Sequence, residues 1–201
     1  MNLVNKNLEK FRVLCVTNKS LCDGDYLERI TMVAKLHPYA VILREKELRE
    51  REYAELAEKV MRICSDNGVK CILHTYVETA VRLGADAIHF PMGILRTVDG
   101  DVLSKFNIIG ASCHSPEDAQ DAVKMGCTYI TAGHVYATDC KKGLEPRGIA
   151  FLQDICDKVD IPVYAIGGIG RAKFDELIKA GAAGACIMSG FMKGSLYGDN
   201  F

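Results

Sequence analysis

Four side chains capable of acid/base chemistry or hydrogen bonding directly follow, or end, runs of apolar residues. They are His74, Ser112, His114 and His134. Among them, His114 is the strongest candidate for an acid/base residue, because a helix predicted to begin at Ser115 follows it and the positive end of a helix favours a neutral imidazole. His74 and His134 stay open at this point, since each could contact a substrate or serve only the packing of its loop.

Residues suited to binding an anion also lie at the ends of apolar runs. Gly167-Gly168 and Ser189-Gly190 end the last two runs, and glycine lets backbone N–H groups approach a phosphate closely. Loops after the seventh and eighth strands commonly hold phosphate in α/β barrels. Arg44 and Lys46 leave the second run as alternate residues, so both side chains could face the same site. The alternative is that these two cations are solvated residues at the start of a helix.

The apolar runs themselves predict the fold. Eight runs rich in Val, Ile and Cys alternate with segments of helical periodicity, which indicates a parallel sheet covered on both faces. We predict a closed (β/α)₈ barrel, an α/β fold, rather than an open doubly wound sheet. Only about a dozen residues follow the final run, so the last helix should be rudimentary or missing. His89, inside the fourth run, is interpreted as a core histidine. The runs are 11–17, 39–44, 69–74, 86–90, 107–112, 128–133, 162–167 and 184–189.

Length, composition and charge exclude several classes of protein. The 201 residues contain no linker or low-complexity segment, which predicts one domain spanning residues 1–201. With 25 basic and 26 acidic residues, a general nucleic-acid binder or membrane-surface protein is not expected. The sequence has no apolar run of transmembrane length and no signal-peptide pattern, and its nine scattered cysteines fit reduced thiols. We therefore expect a cytoplasmic protein.

The residues after the predicted strands do not form a pattern typical of a magnesium site. Magnesium that binds a diphosphate requires carboxylates at strand ends. The third run ends in His74-Thr75, and the loop after the fourth reads PMGILRTV with no acid before Asp99. On the loop after the sixth run, Asp139 is the acid nearest the end of the run. The sequence therefore predicts no dedicated metal site.

Five motifs, in order along nearly the whole chain, resemble the thiamine phosphate synthase/TenI superfamily of (β/α)₈ barrels. The loop after the sixth strand is the most specific and is similar to the thiazole tautomerase branch, TenI. Where the synthase pattern has acids that hold magnesium, this chain has His74-Thr75 and Pro91-Met92-Gly93-Ile94. The motifs are VILREK (41–46), GADAIHF (84–90), IGASCHSPEDA (109–119), GHVYATDCKKGLEPRG (133–148) and IPVYAIGGI (161–169).

The resemblance implies a thiazole tautomerase, an isomerase that aromatises a thiazole carboxylate phosphate by a 1,3-proton shift. It implies that His114 is the acid/base residue, that Arg44 and Lys46 hold anionic groups, and that no cofactor is needed. The other residues expected to contact the substrate are Ser112, His74, His134 and Lys142, and those expected to bind its phosphate are Gly167, Gly168, Ser189 and Gly190.

Two other functions stay open. One is a thiamine phosphate synthase, a transferase that joins a pyrimidine diphosphate to a thiazole phosphate and would need Mg²⁺. The other is a non-catalytic binder of thiazole phosphate or thiamine phosphate with a regulatory effect. The missing acids favour the tautomerase over the synthase, whereas an assay must separate it from the binder. A homodimer is the expectation that the superfamily implies.

Overall fold

Eight parallel strands form a closed barrel in the computed structural model, which describes residues 10–141 and 143–193. Each strand pairs with the next along the chain, and β1 pairs with β8 to close the ring. All eight predicted strands and the predicted closure are confirmed. The strands are β1 Arg12–Val16, β2 Ala40–Leu43, β3 Lys70–His74, β4 Ala87–Pro91, β5 Ile108–Cys113, β6 Tyr129–Gly133, β7 Val163–Ile166 and β8 Gly184–Ile187.

Helices connect the strands and cover the outside of the barrel. The longest, Glu50–Asp66, buries Tyr53, Ala57, Val60 and Cys64 on one face, as its periodicity predicts. In the described residues the helices are α1 Tyr26–Lys35, α2 Glu50–Asp66, α3 Val77–Arg82, α4 Met92–Leu95, α5 Gly100–Leu103, α6 Pro116–Lys124, α7 Gly148–Lys158, α8 Phe174–Lys179 and α9 Ser189–Met192. Short 3₁₀ turns lie at Lys19–Leu21, Asp139–Lys141 and Arg171–Lys173.

The last helix of the described residues is short, and the prediction that the final helix is rudimentary or missing extends into residues outside them. It consists of the four residues Ser189–Met192, and its Phe191 and Met192 are buried. Residues 194–201 and the predicted substrate contact Lys142 lie outside the described residues. Within the part of the chain that is described, no helix is both long enough and apolar enough to span a bilayer.

Side chains alternate between the inside and the outside of the barrel along every strand. On β2, Ala40 and Ile42 belong to the cluster inside the barrel, whereas Val41 and Leu43 pack against the helices. The same period of two places Ser112 of β5 on the inward face. Alternation therefore carries polar residues at the carboxyl ends of the strands into the open mouth of the barrel.

Two tyrosines fill the barrel interior by lying over glycines of the neighbouring strand. Tyr129 of β6 pairs in register with Gly110 of β5, and a Cβ atom at Gly110 would collide with the Tyr129 ring and hydroxyl. Tyr164 of β7 has the same relation to Gly184 of β8. The missing side chain lets each ring cross its neighbour strand, so that Tyr129 reaches His89 on β4. These rings and the apolar residues around them close the interior below the mouth.

We predict that Gly110→Ala destabilises the fold by about 2 kcal/mol or more, because the added methyl group overpacks against the Tyr129 ring. Gly100→Ala is the matched control, since a Cβ atom there meets nothing within 4 Å. It should change stability by less than about 0.5 kcal/mol. Urea unfolding of both variants measures the difference, and equal stabilities would contradict this account of the interior.

Candidate active site

A cavity of about 450 Å³ opens at the carboxyl ends of the strands. This is the end at which (β/α)₈ barrels carry their active sites. Gly190 is next to the cavity on α9 but is not among the lining residues. The other predicted site residues that the structure describes all line it: Arg44, Lys46, His74, Ser112, His114, His134, Gly167, Gly168 and Ser189.

His114 has one ring nitrogen fixed and the other available. Its Nδ1 lies 2.8 Å from the carbonyl oxygen of Gly133, which can only accept, so Nδ1 carries the proton. In its neutral form the imidazole therefore presents the lone pair of Nε2, which makes no hydrogen bond within residues 10–141 and 143–193. Ser115 caps α6 directly after it, as predicted. An exposed imidazole whose Nε2 has no partner in the described part of the chain can accept a proton from a ligand in the cavity.

The other two histidines of the cavity are tied to the protein. His74 is 5% exposed, and burial, together with the neighbouring His89 ring and the charge of Arg44, holds its pKa well below the usual range. Its Nδ1 is hydrogen-bonded to Thr75 Oγ1 at 2.7 Å. His134 donates from Nε2 to the carbonyl oxygen of Leu144 at 3.3 Å. Neither is as well placed as His114 to accept a proton.

Four cationic side chains line the cavity: Arg96, which pairs with Asp118, and the cluster of Arg44, Lys46 and Lys141. Burial together with the charges of Arg44 and Lys141 lowers the pKa of Lys46. A cluster of like charges is relieved when an anion binds among them. Lys141 was not singled out in the sequence, because it lies in a long loop whose path along the cavity depends on packing against β7.

A buried carboxylate behind β2 fixes the direction of Arg44 and Lys46. Glu45 is between them in the chain and points outward, where its Oε1 accepts from Thr17 Oγ1 at 2.6 Å and from the Tyr26 hydroxyl at 2.7 Å. The backbone N–H of Arg44 donates to the same Thr17 hydroxyl. Because alternate residues of an extended chain face opposite ways, anchoring Glu45 outside directs its two neighbours to the cavity. The sequence interpretation that both cations face one site agrees with this geometry.

Gly167 and Gly168 have a packing role in addition to any role in binding phosphate. Both have positive φ, and a Cβ atom at Gly167 would collide with His134. At Gly168 it would collide with the carbonyl oxygen of Ala137 and lie 2.9 Å from Tyr136 Cβ. A larger residue at Gly168 would therefore disturb the loop after β6 as well as a bound phosphate, so that position alone does not test phosphate binding.

The donors at the cavity do not fit a magnesium ion. Among the described residues that line it, Asp118 is the one carboxylate. It accepts from Arg96 Nη2 at 2.9 Å and from the backbone N–H of His114 at 3.1 Å. No group of three or more His, Cys, Asp or Glu side chains in the described part of the chain could hold a metal. Magnesium that binds a diphosphate takes carboxylate ligands, which this arrangement does not offer.

A buried polar chain lies directly beneath the cavity. His89, 2% exposed, contacts the Tyr129 hydroxyl through Nδ1 at 2.9 Å and Ser112 Oγ through Nε2 at 2.8 Å. Thr131 Oγ1 donates to the same Ser112 oxygen at 3.4 Å. His89 is a hydrogen-bonded core histidine, in line with the sequence interpretation. Its connection to Ser112 was not foreseen, because it depends on the register of three strands.

Fold and site together define a (β/α)₈ barrel with a cation-lined cavity and an exposed histidine at its mouth. The family described as thiamine monophosphate synthase (TMP-TENI) matches residues 13–191. This chain belongs to that family.

Curated relatives and a solved structure agree with the family. The chain is 31% identical over 193 residues to a thiamine-phosphate synthase of Caldanaerobacter subterraneus subsp. tengcongensis, covering 92% of this chain and 88% of the relative. It is 38% identical over 151 residues to a putative thiamine-phosphate synthase of Geobacter sulfurreducens, covering 74% and 71%. The structure of a thiamine phosphate pyrophosphorylase from Pyrococcus furiosus superposes with a TM-score of 0.78 at 26% identity, covering 96% and 91%.

The names of these relatives bear on the two enzyme hypotheses. They support the superfamily and a role in thiamine biosynthesis. They favour the synthase alternative over the tautomerase, since each of them carries a synthase or pyrophosphorylase name. The tautomerase branch therefore depends on the site of this chain itself.

We predict that Lys141→Met weakens the binding of a thiazole phosphate by about 3- to 10-fold, because one of three clustered cations is lost. Lys158→Met is the matched control, since Lys158 pairs with Asp154 on α7 and does not line the cavity. Calorimetric titration at low and high salt should show the difference shrinking as salt rises. Equal affinities for the two variants would remove Lys141 from the anion site.

Proposed function

We propose that this chain is a thiazole tautomerase, which converts a non-aromatic thiazole carboxylate phosphate into its aromatic tautomer. The observation that carries the proposal is the state of His114, whose Nδ1 proton is held by the Gly133 carbonyl while Nε2, beside the cavity, has no partner in the described residues. A 1,3-proton shift requires one group that accepts a proton from one carbon of the substrate and donates it to a second carbon close by. An imidazole held in this way meets the requirement when it is neutral.

The reaction follows from that geometry. His114 Nε2 takes the proton from ring carbon C2, and the electron pair of that C–H bond enters the ring. The imidazolium then returns the proton to the exocyclic carbon, whose double bond supplies the electrons of the new C–H bond. Meanwhile the Nδ1–H bond to the Gly133 carbonyl becomes charge-assisted and stabilises the imidazolium. Protons and electrons balance without metal or redox cofactor.

The remaining lining residues support the binding of such a substrate. Arg44, Lys46 and Lys141 supply positive charge for a carboxylate and a phosphate. Gly167-Gly168 and Ser189 follow β7 and β8, where barrels of this kind commonly bind phosphate. Anchoring both ends of the ring would hold C2 and the exocyclic carbon at fixed distances from one base. We also propose that the chain forms a homodimer, as the superfamily implies.

We predict that His114→Asn lowers the turnover of the tautomerisation by ~10²–10⁴-fold with little change in product affinity, because it removes the base and keeps a polar side chain. Turnover is measured by NMR from the interconversion of the two tautomers, and affinity by calorimetry. The corresponding Asn variants of His74 and His134 should lose less, since one resists protonation and the other is bonded through Nε2.

The pattern of losses among these variants decides between hypotheses. If His114→Asn retains full turnover while the His74 or His134 variant loses it, the base is misassigned. If none of the three affects the rate, the chain is better described as a non-catalytic binder of thiazole phosphate. A rate no faster than that of the uncatalysed reaction for the unmodified protein would also favour the binder.

The second candidate function is thiamine phosphate synthase, which the names of the relatives favour. That transferase would need Mg²⁺ on the pyrimidine diphosphate. The lining of the cavity argues against synthase activity. Asp118 is the one carboxylate among its described lining residues, and it already accepts hydrogen bonds from Arg96 and from the backbone N–H of His114.

We predict that purified protein supplied with Mg²⁺, the pyrimidine diphosphate and a thiazole phosphate forms negligible thiamine phosphate. The expected physical reason is the missing carboxylate ligands for the metal. Chromatographic detection of thiamine phosphate, with an authentic synthase as positive control, measures the reaction. Robust Mg²⁺-dependent formation of thiamine phosphate would establish the transferase instead.

A further inference from the structure

We infer that His89 and Tyr129 are positioning residues that make the Ser112 hydroxyl an obligatory hydrogen-bond donor to the ligand. This inference rests on the proposed binding of a thiazole phosphate, and it adds the kind of ligand atom that Ser112 recognises. Its basis is the buried chain Tyr129–His89–Ser112, with Thr131 as a second contact of the serine oxygen.

The first step is that His89 carries a single proton. Burial, with a smaller contribution from the charge of Arg44, lowers the pKa of His89 to about 3. The ring is therefore neutral near pH 7, and one nitrogen donates while the other accepts. Both nitrogens are in hydrogen-bond contact, so the tautomer fixes the direction of every bond in the chain.

The second step is that the Tyr129 phenol donates to His89 Nδ1. Burial raises the pKa of Tyr129 well above its usual range, so the phenol keeps its proton. His89 is the hydrogen-bond partner of this hydroxyl in the described residues. If Nδ1 carried the proton instead, the buried phenol would donate to nothing, which costs about 1–3 kcal/mol. The proton of His89 therefore resides on Nε2 and is donated to Ser112 Oγ.

The third step concerns Thr131. This hydroxyl is buried, and its hydrogen bond in the described part of the chain is the donation to Ser112 Oγ. The serine oxygen consequently accepts from His89 Nε2 and from Thr131, which uses both of its lone pairs. With the Thr131 proton directed to Ser112 Oγ, the serine's own proton is left for the cavity that both residues line.

The consequence is a preference for one kind of ligand atom at Ser112. Ser112 donates and does not accept, so it selects an acceptor atom such as a carboxylate oxygen or an unprotonated ring nitrogen and disfavours an N–H or O–H group. A serine hydroxyl exposed to solvent could rotate to suit either. Here three side chains beneath the cavity remove that freedom, and no ligand contact by His89 or Tyr129 is required.

The first test reads the tautomer of His89 directly in the ligand-free protein. Two-dimensional ¹H–¹⁵N spectra optimised for imidazole rings should show a pyrrole-type Nε2 and a pyridine-type Nδ1. Tyr129→Phe should convert this to a mixture of tautomers, because the donor to Nδ1 is gone. A pyrrole-type Nδ1 in the unmodified protein would overturn the inference, whatever reaction the chain catalyses.

The second test is a double-mutant cycle on the calorimetric affinity for the aromatic thiazole carboxylate phosphate. Ser112→Ala should weaken binding by about 5- to 20-fold and Tyr129→Phe by about 3- to 10-fold. The double variant should bind no more weakly than Ser112→Ala alone, because Tyr129 acts through the serine. Losses that multiply would contradict the inference.

Tyr164→Phe is the matched control for the cycle. Tyr164 is a second buried tyrosine of the barrel interior, and its ring packs edge-on against Tyr129 at 5.7 Å between centroids. It makes no hydrogen bond to His89, so the control should leave the affinity unchanged. If the unmodified protein does not bind the thiazole compound, the proposed function fails. The NMR measurement of the His89 tautomer still tests the inference in that case, because it needs no ligand.

Discussion

Closure of the barrel by the β1–β8 pairing is the constraint on which the rest of the structure depends. A closed ring of eight strands fixes the cross-section of the interior, so the inward side chains must fill it without voids or collisions. Tyr129 and Tyr164 do so only because Gly110 and Gly184 leave space on the neighbouring strands. With the interior closed at that level, the polar residues above it surround the cavity at the mouth.

Local pattern made the strands and part of the site predictable. Apolar runs and helical periodicity are properties of contiguous residues, and the alternation of side chains predicts that Arg44 and Lys46 share a face. The link from Tyr129 to His89 was beyond such reasoning, because it joins β4 and β6 across a glycine of β5. The close approach of the β6 loop to Gly168 depends in the same way on long-range packing.

The four histidines at and beneath the cavity show how environment divides one residue type among several roles. His89 and His74 are buried, and burial lowers the pKa of each, so they serve as neutral hydrogen-bonding groups. His134 is bonded to the loop that it begins. His114 alone among these four combines exposure, a fixed Nδ1 proton and an Nε2 without a partner in the described residues. In the sequence, His114 is the strongest acid/base candidate because a helix follows it directly. The structure adds which ring nitrogen carries the proton.

Charge at the cavity explains how a member of a family named for a synthase could perform a different reaction. A diphosphate that reacts with the aid of magnesium needs carboxylates to hold the metal. Here Arg44, Lys46 and Lys141 face the cavity, and Asp118 is already hydrogen-bonded to Arg96. Cations in direct reach of a ligand neutralise a phosphate and a carboxylate without a bridging metal. In the proposed function, where the anionic ends of the ring would be held in this way, the chemistry left for the protein is proton transfer, for which His114 is suited.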